Sequence, residues 1–107
     1  MSEQSPFEII FDDAVRTHFA AIERKDQSLI LDAIEQQLAY EPNQKTRNRK
    51  ALRIPNLPGA TWELRCGLNN RCRIFYDVDI EDRLVIVLAG GRKLGNKLMI
   101  GGEEFEL

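Results

Sequence analysis

The stretch "WELRCGLNNRCRIFYDVD", Trp62 to Asp79, decides how the chain is read. Trp62, Leu64 and Cys66 alternate with Glu63 and Arg65, and Cys72, Ile74 and Tyr76 alternate with Arg73, Phe75 and Asp77. That period of two predicts a pair of strands. Gly67, Asn69 and Asn70 lie between them and tolerate the positive φ that a chain reversal needs. Symmetric pairing about this turn puts Trp62, Leu64, Cys66, Cys72, Ile74 and Tyr76 on one face. Glu63, Arg65, Arg73, Phe75 and Asp77 then share the other.

Elements on either side complete the pattern. "FEIIF" (7–11) alternates Phe7, Ile9 and Phe11 with Glu8 and Ile10, as a short strand does. Asp12 or Asp13 can cap a helix whose apolar stripe is Val15, His18, Phe19 and Ile22. "RKDQS" is read as an interruption, with Asp26 or Ser28 capping a second helix along Ile30, Leu31, Ile34 and Leu38; Pro42 lies just past its end. "EPNQKTRNRKALRIPNLPGAT" (41–61) has no clean period and reads as a long connection, with one helical turn expected near "RNRKAL". "RLVIVLAGG" is a near-continuous apolar run, hence a central strand. "KLMIGGEEFEL" is expected to add a last edge strand or a tail. The fold class is therefore α+β, one domain over residues 1–107, in the order β-α-α-β-β-β. A helix pair packs on one face of an antiparallel sheet.

A chain of 107 residues supports one modest core. No apolar run reaches the roughly 20 residues that span a bilayer, and "MSEQSPFEII" has no secretory pattern, so a cytoplasmic location and no membrane partner are expected. His18 reads as a packed histidine rather than a ligand. Cys66 and Cys72 are too few for a disulfide framework or a metal site, and two free, packed thiols are expected.

The net charge of −2 conceals segregation. Residues 1–44 sum to −6, residues 45–73 to +7 and residues 74–107 to −3. One basic third in an acidic chain points to local anion binding rather than general coating of nucleic acid. With helices on one face only, the second face is expected to be open, and its ionic side chains cheap to place. The basic connection (Lys45, Arg47, Arg49, Lys50, Arg53) enters the sheet at one rim, and Arg92, Lys93 and Lys97 follow the central strand at the other. Two readings of the residues stay open: a phosphate-backbone site, or a cross-strand ion network on a solvated face.

The element order, "WELR…RCRIFYDVD" and "VIVLAGGRKLGN" together make the whole chain resemble the RelE/ParE superfamily of toxins from type II toxin–antitoxin pairs. The resemblance implies a cognate antitoxin as partner. RelE-type members cut mRNA on the ribosome with no cofactor or metal, by attack of a ribose 2′-OH on the adjacent phosphate. ParE-type members poison DNA gyrase, and a detoxified relative would only bind its antitoxin. Carried over by position, Arg73 opens the "R-x-x-Y" motif and contacts the phosphate, Arg65 is a second phosphate contact, and Lys93 stands where a catalytic cation follows the fourth strand. Glu63 stands where RelE has a lysine, as a general base or as a holder of Arg65 and Arg73. Lys45, Arg47, Arg49, Lys50, Arg53, Arg92 and Lys97 are expected RNA contacts. The C-terminal tyrosine or histidine common among the nucleases is missing; that region reads "GNKLMIGG", with Met99 near the place.

Overall fold

A computed structural model describes residues 5–51 and 59–106. The β3–β4 hairpin, Trp62–Cys66 and Cys72–Asp79, lies at its centre. Its register is the symmetric one, Trp62 opposite Tyr76 and Cys66 opposite Cys72. Gly67, Asn69 and Asn70 take φ of 79°, 55° and 54° through the reversal. β5 (Leu84–Leu94) lies antiparallel to β4, and β1 (Glu8–Phe11) runs parallel beside the first half of β5. The sheet is thus antiparallel except at β1.

Three strands fall where a connection and a last edge strand or tail were expected. β2 (Arg49–Ala51) pairs with β3 where a helical turn was expected. β6 (Lys97–Ile100) and β7 (Glu103–Glu106) form a hairpin on the second half of β5, so the C-terminal segment supplies two strands. Its two-residue turn, Gly101-Gly102, has φ of 60° and 83°, a demand that glycine meets without steric cost.

Helix α1 (Ala14–Ala20) starts where Asp12 Oδ1 accepts the Ala14 N–H at 3.0 Å. Helix α2 (Arg24–Leu38) starts earlier than the sequence suggests. Asp26 does not cap it but sits buried in its first turn, 3.6 Å from Arg71 Nη2. Gln27 Nε2 donates to the carbonyls of Phe19 and Ile22, each at 2.8 Å, which holds the tight connection between the helices.

The main core lies between helices and sheet, with Ile30, Ile34 and Leu38 over Leu64, Ile74, Tyr76, Val85 and Val87. Tyr76 is fully buried and donates its hydroxyl to the Pro42 carbonyl at 2.7 Å, so the inserted polar atom is satisfied. A second, smaller core occupies the opposite side of the sheet. Phe75 and Ala89 pack there with Ala60, Leu98 and Ile100, and Leu88 and Phe105 lie against them. The second face is therefore not fully open, contrary to expectation: Leu98 and Ile100 of β6 and Ala60 just before β3 pack with Phe75 and Ala89 there.

One irregularity sets the direction of every later side chain on β5. Phe75 pairs with Ala89 while Tyr76 pairs with Val87, leaving Leu88 as an extra residue. This bulge reverses the alternation. Val85 and Val87 face the helices, but beyond the bulge Gly90 and Arg92 do so, while Ala89, Gly91 and Lys93 face the second core. Gly90 is small for a reason: a Cβ there would lie 2.9 Å from Phe19 Cε1 of α1.

Candidate functional site

Glu63, Arg65 and Arg73 converge on the side of the sheet away from the helices. Arg65 and Arg73 are direct cross-strand partners. Two guanidiniums side by side would repel, and Glu63 on the same face relieves this. Its Oε1 lies 2.9 Å from Arg73 Nε and 3.6 Å from Arg65 Nε. Arg73 Nη1 also donates to the backbone carbonyls of Asn70 and, at 3.2 Å, Cys72. Burial lowers the Arg73 pKa from its ordinary value, Glu63 opposes that, and Arg65 adds to it.

These ions are not the cheap surface placements the alternation suggested. Glu63 and Arg73 are only 5% and 8% exposed. A carboxylate so enclosed must be paired, because an isolated buried charge costs several kcal/mol. Glu63 has its acceptor oxygen committed to guanidiniums and little access to solvent, which fits a holder of Arg65 and Arg73 better than a proton abstractor. Arg65 is held differently. Its Nε is buried beside Glu63 without a hydrogen bond, but the side chain as a whole is 39% exposed. It is the guanidinium of the pair that is open to a ligand.

Lys93 joins this face because of the Leu88 bulge. It lies two residues beyond Gly91, the cross-strand partner of Arg73, hence about 7 Å along β5. Its side chain is exposed, and its backbone N–H donates to the Arg71 carbonyl at 2.7 Å. Lys50, opposite Glu63 in the β2–β3 register, lies on the same face and is half-buried.

The other expected contacts disperse. Arg49 is buried on the helix side, where Nη1 donates to the carbonyls of Gln37 and Glu41 near the end of α2. It ties β2 to that helix, and its guanidinium is turned away from the face that carries Arg65 and Arg73. Arg92 is turned to the helix side by the bulge and lines a small cavity with His18 and Met99. Lys97 is exposed beside Glu104, 3.5 Å away. Lys45 and Arg47 are exposed in the connection before β2. Arg53 lies outside the described residues. The sequence reading missed the carbonyls of Asn70 and Cys72; the left-handed Asn69-Asn70 pair was the available signal, since it aims the turn back at Arg73.

The chain is similar to a chain of the RelBE2 toxin–antitoxin complex from Mycobacterium tuberculosis, with a TM-score of 0.65 and 23% identity over 82% of this chain and 99% of that one. The fold is RelE-type. No protein-family model and no curated protein matches the sequence. The RelE-type order of helix pair and sheet is the one the resemblance implied. Both cysteines are free and buried, and no described helix is long and apolar enough to cross a membrane.

Proposed function

We propose that the chain is the toxin of a type II toxin–antitoxin pair and that it cleaves mRNA on the ribosome, with its cognate antitoxin as partner. The observation that carries this is the cationic surface of Arg65, Arg73 and Lys93, gathered on one sheet face of a RelE-type fold. In the proposed reaction the ribose 2′-oxygen bonds to the adjacent phosphorus as its proton passes to solvent water. The bond from phosphorus to the 5′-oxygen breaks, and that oxygen takes a proton from solvent as it leaves, giving a cyclic phosphate. Arg65 and Lys93, both reachable from solvent, neutralise the charge growing on the equatorial oxygens. Arg73 is pinned beneath them, supplies fixed positive potential, and takes its orientation from Glu63. The flanking Lys50 extends the surface along the RNA backbone.

The commitment of Glu63 to its arginines favours a second reading, in which the same surface binds and no bond is cut. That is a gyrase-directed toxin, or a relative retaining only antitoxin binding. Induced expression with primer extension on translated transcripts separates the three. Cleavage requires growth arrest with cut transcripts, and Arg65→Ala or Lys93→Ala should reduce it by about 10²–10³, as loss of a transition-state donor does. Arrest with intact transcripts and impaired supercoiling assigns gyrase instead; unimpeded growth removes both toxic activities.

A further inference from the structure

The β3–β4 turn combines a strained backbone with a buried acid beside it. Asn69 and Asn70 hold φ of 55° and 54°, in the left-handed region that favours glycine. A turn so built keeps its shape only where the surrounding structure holds it. Arg71, the next residue, provides that hold. Its N–H donates to the Leu68 carbonyl at 3.2 Å and closes the turn. Its carbonyl accepts the Lys93 N–H at 2.7 Å, one step past the last β4–β5 pair, Cys72 with Arg92.

The Arg71 side chain reaches the helix side of the sheet, where Nη2 lies 3.6 Å from Asp26 Oδ2 in the first turn of α2. Asp26 is 1% exposed, and its Oδ2 and Arg71 Nε are both enclosed without a hydrogen bond. Among the described residues no other carboxylate lies within 4.0 Å of Arg71. An enclosed carboxylate with so little of its bonding capacity satisfied is a poor stabilising device, and an apolar side chain of similar volume would pack as well. What Asp26 supplies instead is a fixed charge that pins Arg71.

We propose that Asp26 is a positioning residue for Lys93. From the opposite side of the sheet it anchors Arg71, and the Arg71 carbonyl then fixes the backbone of β5 at Lys93. Lysine carries its charge on a flexible four-carbon stem, so the placement of its ammonium depends on how firmly its backbone is held. The effect on turnover rests on the nuclease reading; the effect on the backbone does not.

The test compares the full chain with Asp26→Asn and Asp26→Leu. Asparagine removes the charge and keeps the shape. Leucine fills the space and frees Arg71, whose side chain is 36% exposed, to turn to solvent. By residue-resolved amide exchange, the Lys93 N–H should exchange at least tenfold faster in both variants. In Asp26→Leu, Val85 and Val87 of the same strand should change less than threefold. On ribosomes carrying a defined mRNA, kcat for cleavage should fall at least tenfold with KM changed less than threefold. In a Lys93→Ala background the same substitutions should change kcat less than threefold, because the lysine they position is gone. A role in folding alone gives a different pattern: exchange quickens throughout β5, and the loss in kcat is the same with or without Lys93. Either of those results, or an unaltered Lys93 amide in Asp26→Leu, would overturn the proposal. So would failure of both variants to fold, which assigns Asp26 to stability. If the unsubstituted chain cuts no RNA, the nuclease reading fails, and the exchange comparison alone decides whether Asp26 fixes Lys93.

Discussion

Glu63→Gln removes the one negative charge between Arg65 and Arg73 while keeping the side chain's shape. The Glu63–Arg73 pair is 2.9 Å long, with both side chains at most 10% exposed. Removing one member of such a pair leaves the other charge buried, at about 3–5 kcal/mol. The glutamine oxygen still accepts one hydrogen bond, which places the loss near the lower end, about 3 kcal/mol. For a domain of about 100 residues each kcal/mol moves Tm by roughly 4–8 °C, so a fall of about 12–24 °C is expected by calorimetry. Lys97→Gln is the internal control. Its partner Glu104 is 3.5 Å away and both side chains are more than half exposed, so the loss should stay below about 1 kcal/mol. A double variant, Glu63→Leu with Arg73→Met, should recover much of the loss, because it leaves no charge buried alone. If Glu63→Gln costs no more than Lys97→Gln, the pair is solvated, and the enclosed second core described above is wrong.

Other perturbations test separate parts of the structure. Burial pushes the Cys66 thiol up to about 12, aided by Cys72, and raises Cys72 too. Neither should react with a disulfide reagent at pH 8 until denaturant is added; rapid labelling of the native protein would contradict their burial. An unfolded chain releases the Cys66 proton near 9.0 while the native chain keeps it to about 12, so the unfolded state holds fewer protons across that window. Stability should therefore fall by about 1.4 kcal/mol per pH unit there from this group alone, which alkaline denaturant melts would read. A Cβ at Gly91 would lie 2.3 Å from the Met99 carbonyl oxygen, whereas one at Gly95 meets nothing within 4 Å. Gly91→Ala should thus disrupt β5–β6 pairing and cost several kcal/mol, against about 1 for the backbone strain of Gly95→Ala at φ +62°. His18 has its pKa lowered by burial, against the pull of Asp12 and Glu103, and its Nδ1 accepts the Gly90 N–H at 3.3 Å. The unfolded state takes up the proton first as pH falls, so stability should drop below pH 6.5; an NMR titration placing His18 above 6.5 would refute this.

The hairpin was legible because two independent signals agree on it. Alternation fixes which side chains share a face, and Gly67, Asn69 and Asn70 fix where the chain turns, so the register follows. Lys93 shows where such reasoning stops. Straight alternation from Val85 and Val87 would send Lys93 to the helix side and Arg92 to the cationic face. The extra residue at Leu88 does the reverse, and no glycine, proline or charge stands at or next to it, Gly90 being two residues on. The placement of Arg49 was hidden for another reason: among five cations of one connection, nothing local distinguishes the one that meets the carbonyls at the end of α2. Alternation placed Phe75 on the second face, but its partners there were hidden: the bulge at Leu88 redirects Ala89, and Ala60, Leu98 and Ile100 come from short segments read as a connection and a last strand or tail.

The same features explain why a chain with so little apolar material on its second face carries ions in its best strands. Phe75 and Ala89 pack with Leu98 and Ile100 of the same sheet and with Ala60 just before β3. That small cluster does not extend to the β3–β4 turn, beside which Arg65 and Arg73 stand. Apolar residues at those positions would enlarge the core without enough chain to close over it. Arginines end it instead: their stems pack at the apolar margin and their head groups meet Glu63, the Asn70 and Cys72 carbonyls, and solvent. Glu63 is the sole acid between residues 45 and 73, and its placement leaves the cluster positive but bound together. The stability of the second core and the positive charge of the cationic face thus share one group of side chains. Exposed Arg65 and Lys93 should therefore tolerate substitution in the folded state far better than Arg73, even though all three lie on one surface.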